Sequence, residues 1–133
     1  MIGVDTNILL RFVLQDDAQQ SRAASALLED VVRAEEPAMI SPVALVEFVW
    51  TLMRRYRFVK DDVIELLDVL AESGRVVYSD DALISSCVDQ WRHGEADLPD
   101  YLIAALNLQA GARTTLTFDK RVALEPGFTL LQS

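Results

Sequence analysis

The sequence has few residues that act as nucleophiles or bind soft metals: it contains one cysteine, Cys87, and one histidine, His93. A single cysteine cannot form an internal disulfide or a thiolate zinc site, and one histidine leaves few options for imidazole catalysis. No apolar run reaches the roughly 20 residues that span a bilayer, and the first residues lack the basic segment of a signal peptide. These absences predict a soluble, cytoplasmic protein without a membrane segment.

Basic residues are also scarce, because 12 Lys and Arg stand against 21 Asp and Glu and give a net charge of −9. A broad phosphate-binding face normally needs an excess of positive charge and is therefore not expected. At about 150 residues per domain, the length predicts one domain over residues 1–133. An apolar fraction of 51% excludes a disordered chain. The acidic excess leaves open a chemistry based on clustered carboxylates.

Short apolar runs alternate with amphipathic segments along the whole chain. Strands are predicted over five short segments, at residues 1–4, 37–40, 75–78, 114–118 and, at the sheet edge, 128–131. Helices are predicted over six segments, at residues 8–14, 16–35, 42–57, 60–73, 81–91 and 98–110. The alternation predicts an α/β fold in which a central parallel sheet of four to five strands is flanked by helices on both faces.

Acidic residues follow the predicted strands, whose carboxyl ends meet at one edge of a parallel sheet. Asp5 comes directly after the first strand and Asp119 directly after the fourth. A helix cap explains Asp5 about as well as a ligand role does, and a turn position is the alternative for Asp119. Asp97 and Asp100 share one face of a helix N-terminus, where capping alone explains at least one of them, with Asp97 the better candidate.

Glu47 is the only charged residue between Glu36 and Arg54, and its neighbours predict a helix that is apolar on nearly all sides. Burial of a lone carboxylate is costly unless it is paired or binds a cation. The alternatives are an exposed stripe through Ala44, Glu47 and Thr51, or an ion pair with an arginine. Glu47 is therefore a further candidate ligand.

Together these acidic positions exceed what capping requires, and they predict a pocket for a hard divalent cation. Carboxylate oxygens suit Mg²⁺ or Mn²⁺, and either ion lowers the pKa of a bound water until it becomes a nucleophile. Two ions about 4 Å apart would also stabilise the attacking and leaving oxygens of a phosphodiester. The candidate metal ligands are Asp5, Glu47, Asp119 and at least one of Asp97 and Asp100.

Several motifs occur in a fixed order: VDTNIL at 4–9, DDAQQ at 16–20, IS at 40–41, EFVW at 47–50, ADLPDYLIAA at 96–105, GA at 111–112 and TFDKR at 117–121. This order closely resembles PIN-domain nucleases and, within them, the VapC toxins of bacterial toxin–antitoxin pairs. The resemblance covers essentially the whole chain. Each short motif is common, whereas the combination is specific.

The resemblance implies a single PIN-like domain that acts as a Mg²⁺- or Mn²⁺-dependent endoribonuclease. The catalytic and metal-binding acids of the family are matched by Asp5, Glu47, Asp100 and Asp119. Asp97 matches an additional acid that often precedes the third of these. The polar positions that orient carboxylates or waters are matched by Thr6, Asn7 and Thr117. No catalytic acid is missing from the pattern.

The resemblance also implies an RNA substrate, a small VapB-like antitoxin that covers the active site, and a toxin homodimer. The aromatic and apolar residues that exceed one buried helix face, and so fit either a partner groove or core packing, are Trp50, Leu52, Tyr56 and Phe58. The densest basic stretch fits either RNA phosphates or a solvated helix end and consists of Arg54, Arg55, Arg57 and Lys60.

Other functions are distinguished by single features of the chain. An aspartyl phosphatase of the haloacid dehalogenase type would need a second acid where the sequence has Asn7. A phospho-accepting receiver domain would use residues 79–81 and would leave Glu47 unexplained. A solitary PIN-like RNA-processing nuclease would lack a short antitoxin gene upstream, and a non-catalytic PIN-like binding module would bind metal without cleaving RNA.

Overall fold

The structure, a computed structural model, describes residues 1–31 and 35–133. The chain divides into two compact units, Met1–Asp81 and Ala82–Ser133. In the described part of the chain, no helix has the length and apolarity that crossing a bilayer requires.

The first unit contains a three-stranded parallel sheet in the order β1-β2-β3. Its strands are β1 (Ile2–Gly3), β2 (Ala38–Ile40) and β3 (Val76–Tyr78). The middle strand pairs Ala38 with Ile2 on one side and with Val76 on the other. Because all three strands run in the same direction, the residues that follow them emerge at one edge of the sheet.

The described residues of the first unit also form four α-helices: α1 (Thr6–Leu14), α2 (Ala18–Ala26), α3 (Pro42–Arg54) and α4 (Lys60–Glu72). α2 continues into a π-helical turn, Leu27–Val31, and the predicted continuation to Glu35 passes through residues outside the described part. Asp17 caps α2 and Ser41 caps α3, as side-chain acceptors for the first amides of each helix. α3 ends three residues before the predicted Arg57, which has a left-handed φ of 59° and cannot continue a helix.

The core of the first unit is formed by apolar side chains from the helices and from β2. The side chains that are almost completely buried are Leu9, Ile40, Leu45, Phe48, Leu52, Val63 and Leu67. Leu52 therefore packs in the core, whereas Trp50 is 59% exposed and Tyr56 and Phe58 are half-buried. Of the four residues proposed for a partner groove, only Trp50 presents most of its surface.

The second unit contains α5 (Asp81–His93, which begins at the boundary), α6 (Leu98–Gln109), β4 (Thr115–Thr117), a 3₁₀ turn (Val122–Leu124) and β5 (Phe128–Leu130). β4 and β5 pair in parallel, with Thr115 opposite Phe128. α5 packs on α6 through the buried Cys87, whose thiol donates to the Tyr101 carbonyl at 3.5 Å. Burial raises the pKa of this thiol.

The predicted α/β class and the parallel strand pairing are confirmed. The five strands are divided into a three-stranded and a two-stranded sheet, where the sequence predicted one sheet of four to five. Both sheets are small, and each strand contains only two or three residues. Gly74 and Gly111, which directly follow the predicted helices 60–73 and 98–110, have left-handed φ angles of 72° and 104°.

Candidate active site

Asp5 lies at the carboxyl edge of the three-stranded sheet, at the N-cap of α1. Its Oδ1 accepts a hydrogen bond from the Thr6 N–H at 2.7 Å, and the rest of the side chain is exposed. The buried Thr6 hydroxyl donates to the carbonyl of Ala44 in α3 at 3.4 Å. The expected capping role is therefore present, and Thr6 fixes the beginning of α1 against α3.

Glu47 is exposed, so the argument from a buried carboxylate is wrong. The exposed stripe of α3 contains Glu47 with Val43 and Trp50, while Ala44 is buried. In residues 1–31 and 35–133 Glu47 forms no ion pair with an arginine. Its candidacy rests on position, because Glu47 lies one helical turn after Ala44, the residue that Thr6 contacts.

Asp97 and Asp100 begin α6. Asp97 occupies the N-cap position, and its N–H donates to Oδ2 of Asp100 at 3.0 Å. This bond is the returning half of a capping box, in which the third helical residue accepts from the N-cap amide. Asp97 is therefore the N-cap residue, as the sequence predicts, and Asp100 completes the capping box.

Asp119 follows β4 and forms a tight turn. Its N–H donates to the Thr117 hydroxyl at 3.1 Å. Its Oδ1 accepts from the backbone N–H of Arg121 at 2.9 Å and of Val122 at 3.3 Å. These three bonds fix both the backbone and the carboxylate of Asp119, and Thr117 contributes one of them.

One pocket of about 130 Å³ in the second unit brings three of the predicted acids together. Its lining residues are Glu95, Ala96, Asp97, Asp100, Asp119, Arg121 and Val122. Desolvation raises the pKa of Asp100, and the nearby carboxylates of Asp97 and Asp119 raise it further against the opposing effect of the Asp97 hydrogen bond. The pocket therefore favours a bound proton or cation over a third bare negative charge.

The donor chemistry of this pocket fits a hard divalent cation. Oxygen ligands suit Mg²⁺ and Mn²⁺, and Mg²⁺ retains several waters while it takes only one or two carboxylates. Over the described ranges, no three His, Cys, Asp or Glu side chains are arranged as a ready-made metal cage. Asp100 and Asp119 therefore fit a largely hydrated ion better than a closed protein site.

Two polar residues of the pocket, Glu95 and Arg121, were not among the predicted site residues. The guanidinium Nη2 of Arg121 donates to the Glu95 carbonyl at 2.6 Å. Arg121 had a weak signal, since it lies two residues after Asp119, whereas only the tertiary fold brings in Glu95. In the first unit, Asn7 lines a groove of about 470 Å³ together with residues of α1 and α2 and with Leu27.

The fold and this pocket define an α/β protein with carboxylates suited to a divalent cation. A family model for the PIN domain matches residues 2–124, so the chain belongs to the PIN domain family. PIN domains are generally nucleases and typically use divalent metal ions. A solved toxin-antitoxin complex from Klebsiella pneumoniae is similar over 97% of this chain and 96% of that chain, with 19% identity and a TM-score of 0.33. No curated protein matches the chain.

Proposed function

We propose that this protein is a metal-dependent endoribonuclease that acts as a VapC-type toxin. Its family supports a nuclease activity. The observation that carries the metal dependence is the pocket of Asp97, Asp100 and Asp119, in which the pKa of Asp100 is raised. Mg²⁺ and Mn²⁺ are the cofactors that these oxygen ligands favour.

Four acids are the proposed catalytic carboxylates. Asp100 and Asp119 are the proposed ligands in the second unit, with Asp97 as an additional one. Asp5 and Glu47 are the proposed acids of the first unit. The proposed supporting polar residues are Thr6, Asn7 and Thr117.

A bound divalent cation supplies a Lewis acid that lowers the pKa of a water and stabilises the charge that develops on the phosphate. Backbone amides already orient two carboxylates of the pocket. Two amides hold the Asp119 carboxylate in one orientation, and the Asp97 amide holds that of Asp100. Because these bonds exist before the ligand arrives, little reorganisation is needed when it binds.

RNA is the proposed substrate, and its recognition must be local because a net charge of −9 repels polyanions at long range. The exposed arginines Arg54, Arg55 and Arg57 form a basic segment at the end of α3 and just beyond it, which suits phosphate contacts. Such contacts would provide a local attraction to RNA phosphates despite the net negative charge of the chain.

An antitoxin of the VapB type is the proposed partner, and a homodimer is the proposed assembly. The acidic pocket and the net charge favour a basic peptide segment, which would compete with the metal for the same carboxylates. The cytoplasm is the proposed location, because an RNA substrate is available there. Co-expression with the product of an adjacent short reading frame, followed by sedimentation of the complex, tests the partner and the assembly.

The nuclease proposal is tested with the purified chain on single-stranded RNA. Cleavage is expected with Mg²⁺ or Mn²⁺ and not with a chelator, and Asp5→Asn and Asp119→Asn should each abolish it. Cleavage in the presence of chelator, or full activity of Asp5→Asn, would overturn the proposal. Metal binding without cleavage would instead indicate a non-catalytic PIN-like binding module.

A further inference from the structure

The loop of residues 94–97, which leads into α6, is held at both backbone groups of Glu95. The Glu95 N–H donates to Oε1 of Glu125 at 3.0 Å. The Glu95 carbonyl accepts from Nη2 of Arg121 at 2.6 Å, a short bond strengthened by the positive charge of its donor. Both partners belong to one segment, residues 119–125.

That segment begins with Asp119 and is itself hydrogen-bonded. Asp119 Oδ1 accepts from the Arg121 N–H, and the Glu125 N–H donates to the Val122 carbonyl at 2.9 Å. Arg121 therefore contacts Asp119 through its backbone and the 94–97 loop through its side chain. Arg121 therefore links Asp119, on one side of the pocket, to the loop that carries Asp97 and leads into the first turn of α6, where Asp100 lies.

The same loop is also fixed from the direction of the core. The Ala96 N–H donates to the hydroxyl of Tyr101 at 3.3 Å, and Tyr101 is only 2% exposed. A Cβ at Gly94 would overlap this hydroxyl and would approach the Gln90 carbonyl oxygen to 2.9 Å. The loop therefore has little room to move, and Arg121 and Glu125 define its position relative to Asp119.

We propose that Arg121, together with Glu125, is a positioning residue that holds Asp97 and Asp100 at the separation from Asp119 at which the pocket binds a divalent cation. The proposal rests on the metal-dependent function proposed above. The charge of Arg121 has the opposite effect, because a guanidinium at the edge of the pocket repels a metal ion. The hydrogen bond to Glu95 therefore accounts for an arginine that electrostatics alone would disfavour.

The hydrogen bond and the charge of Arg121 have opposite expected effects on metal affinity, so substitution of Arg121 distinguishes them. In Arg121→Met, Mn²⁺ affinity measured by calorimetry should fall by about 10- to 100-fold, the range typical when a residue that orients metal ligands is lost. Arg121→Lys should recover part of the affinity, because an ammonium group can still donate one bond to Glu95. Lys120→Met is the matched control, since it removes a positive charge beside Asp119 from a residue that does not line the pocket. Its Mn²⁺ affinity should stay unchanged or rise slightly.

RNA cleavage supplies a second readout. The Mn²⁺ concentration that gives half-maximal activity should rise in Arg121→Met, while the rate at saturating Mn²⁺ should recover. Glu125→Ala should behave similarly, and Glu125→Gln should be milder because its amide oxygen still accepts from the Glu95 N–H. The Glu125 pair keeps the test available if Arg121→Met does not fold.

The two proposals fail in different ways. If the wild-type chain binds no Mn²⁺, the metal-dependent function is wrong and the positioning role falls with it. If wild-type protein binds Mn²⁺ and folded Arg121→Met binds it as tightly or more tightly, only the positioning role is overturned. The same conclusion follows if Glu125→Ala leaves Mn²⁺ affinity unchanged.

Discussion

Near the beginning of both α1 and α6, an aspartate side chain accepts a hydrogen bond from a backbone amide, but the surroundings of the two aspartates differ. At α1, Asp5 accepts a hydrogen bond from the next amide and points its remaining surface to solvent. At α6, Asp100 accepts from the Asp97 amide, but it also shares a pocket with Asp97 and Asp119 and has a raised pKa. A helix cap accounts for the aspartate at α1, whereas at α6 it leaves a repulsion that only a proton or a cation relieves.

The comparison shows that a capping bond neither supports nor excludes a role in catalysis. What separates the two positions is the number of carboxylates that share one desolvated volume, a property set by the turn after β4. Changes at α6 should therefore affect cation binding, whereas the stability effects of changes at α1 should be those of an ordinary helix cap.

The largest expected effect is on activity, in Asp100→Asn. This substitution removes a charged ligand but keeps an oxygen that accepts from the Asp97 amide, so the fold should persist. RNA cleavage at saturating Mg²⁺ should fall by at least about 100-fold, the upper range for loss of a mere supporting residue. The control is Asp89→Asn, which removes a 70% exposed carboxylate from α5 in the same unit and should keep full activity. Equal losses in both variants would contradict the assignment.

The next effect is on stability and compares two glycines. Gly94→Ala places a methyl group against the buried Tyr101 hydroxyl ahead of α6 and should lower the free energy of unfolding by about 2 kcal/mol. Gly3→Ala, ahead of α1, should have little effect, because the nearest atom that its Cβ meets is Met39 Cε at 3.9 Å. Urea unfolding of both variants measures the difference, and similar losses would mean that the two helix starts are equally constrained.

A smaller effect is expected at the cap of α1. Asp5→Ala should lower the free energy of unfolding by about 1 kcal/mol, because the Thr6 amide loses its acceptor. Asp5→Asn should cost less, since its amide oxygen can still accept, although we expect it to be inactive. A variant that keeps its stability and loses its activity would separate the cap from the catalytic role. Thermal unfolding and RNA cleavage of the same two preparations give both values.

The smallest effect is a pH dependence of stability that depends on Asp100. A raised pKa in the folded state means that the folded chain holds this proton more tightly than the unfolded chain does. The stabilisation is present at low pH and is lost as the pH rises above about 4, the ordinary pKa of an aspartate. In chelator, wild-type protein should therefore lose stability relative to Asp100→Asn between pH 4 and neutrality, by about a kcal/mol or less. Mg²⁺ should reverse this loss, and a relative gain of stability with rising pH would contradict the proposed electrostatics.

Local signals in the sequence predicted most of the helices and strands. Ser41 and Pro42 lie at the beginning of α3, Asp17 at that of α2, and Gly111 just after the end of α6. These signals work because capping and left-handed φ angles depend on a few adjacent residues. The π-helical turn after α2 and the division of five strands into two sheets have no such local cause, and neither was predicted.

The candidate site was predictable in its acids and not in their surroundings. Asp97, Asp100 and Asp119 were chosen from their positions after strands and at a helix start, and they line one pocket. Glu47 was chosen because its neighbours are apolar, yet an apolar residue such as Trp50 is also exposed on that helix. Composition does not reveal which face of a helix is covered. The bonds from Arg121 and Glu125 to Glu95 join residues about 30 positions apart, which no local pattern encodes.

The buried thiol between α5 and α6 is a built-in probe of local opening. Cys87 is the only cysteine, is 1% exposed and donates to the Tyr101 carbonyl, so a thiol reagent reaches it only when the packing around it opens. The rate of labelling therefore reports how often that packing opens, without any introduced probe. Tyr101 also holds the loop before α6. Slower labelling of Cys87 in the presence of Mn²⁺ would therefore show that a cation in the pocket makes opening of the packing around Cys87 rarer.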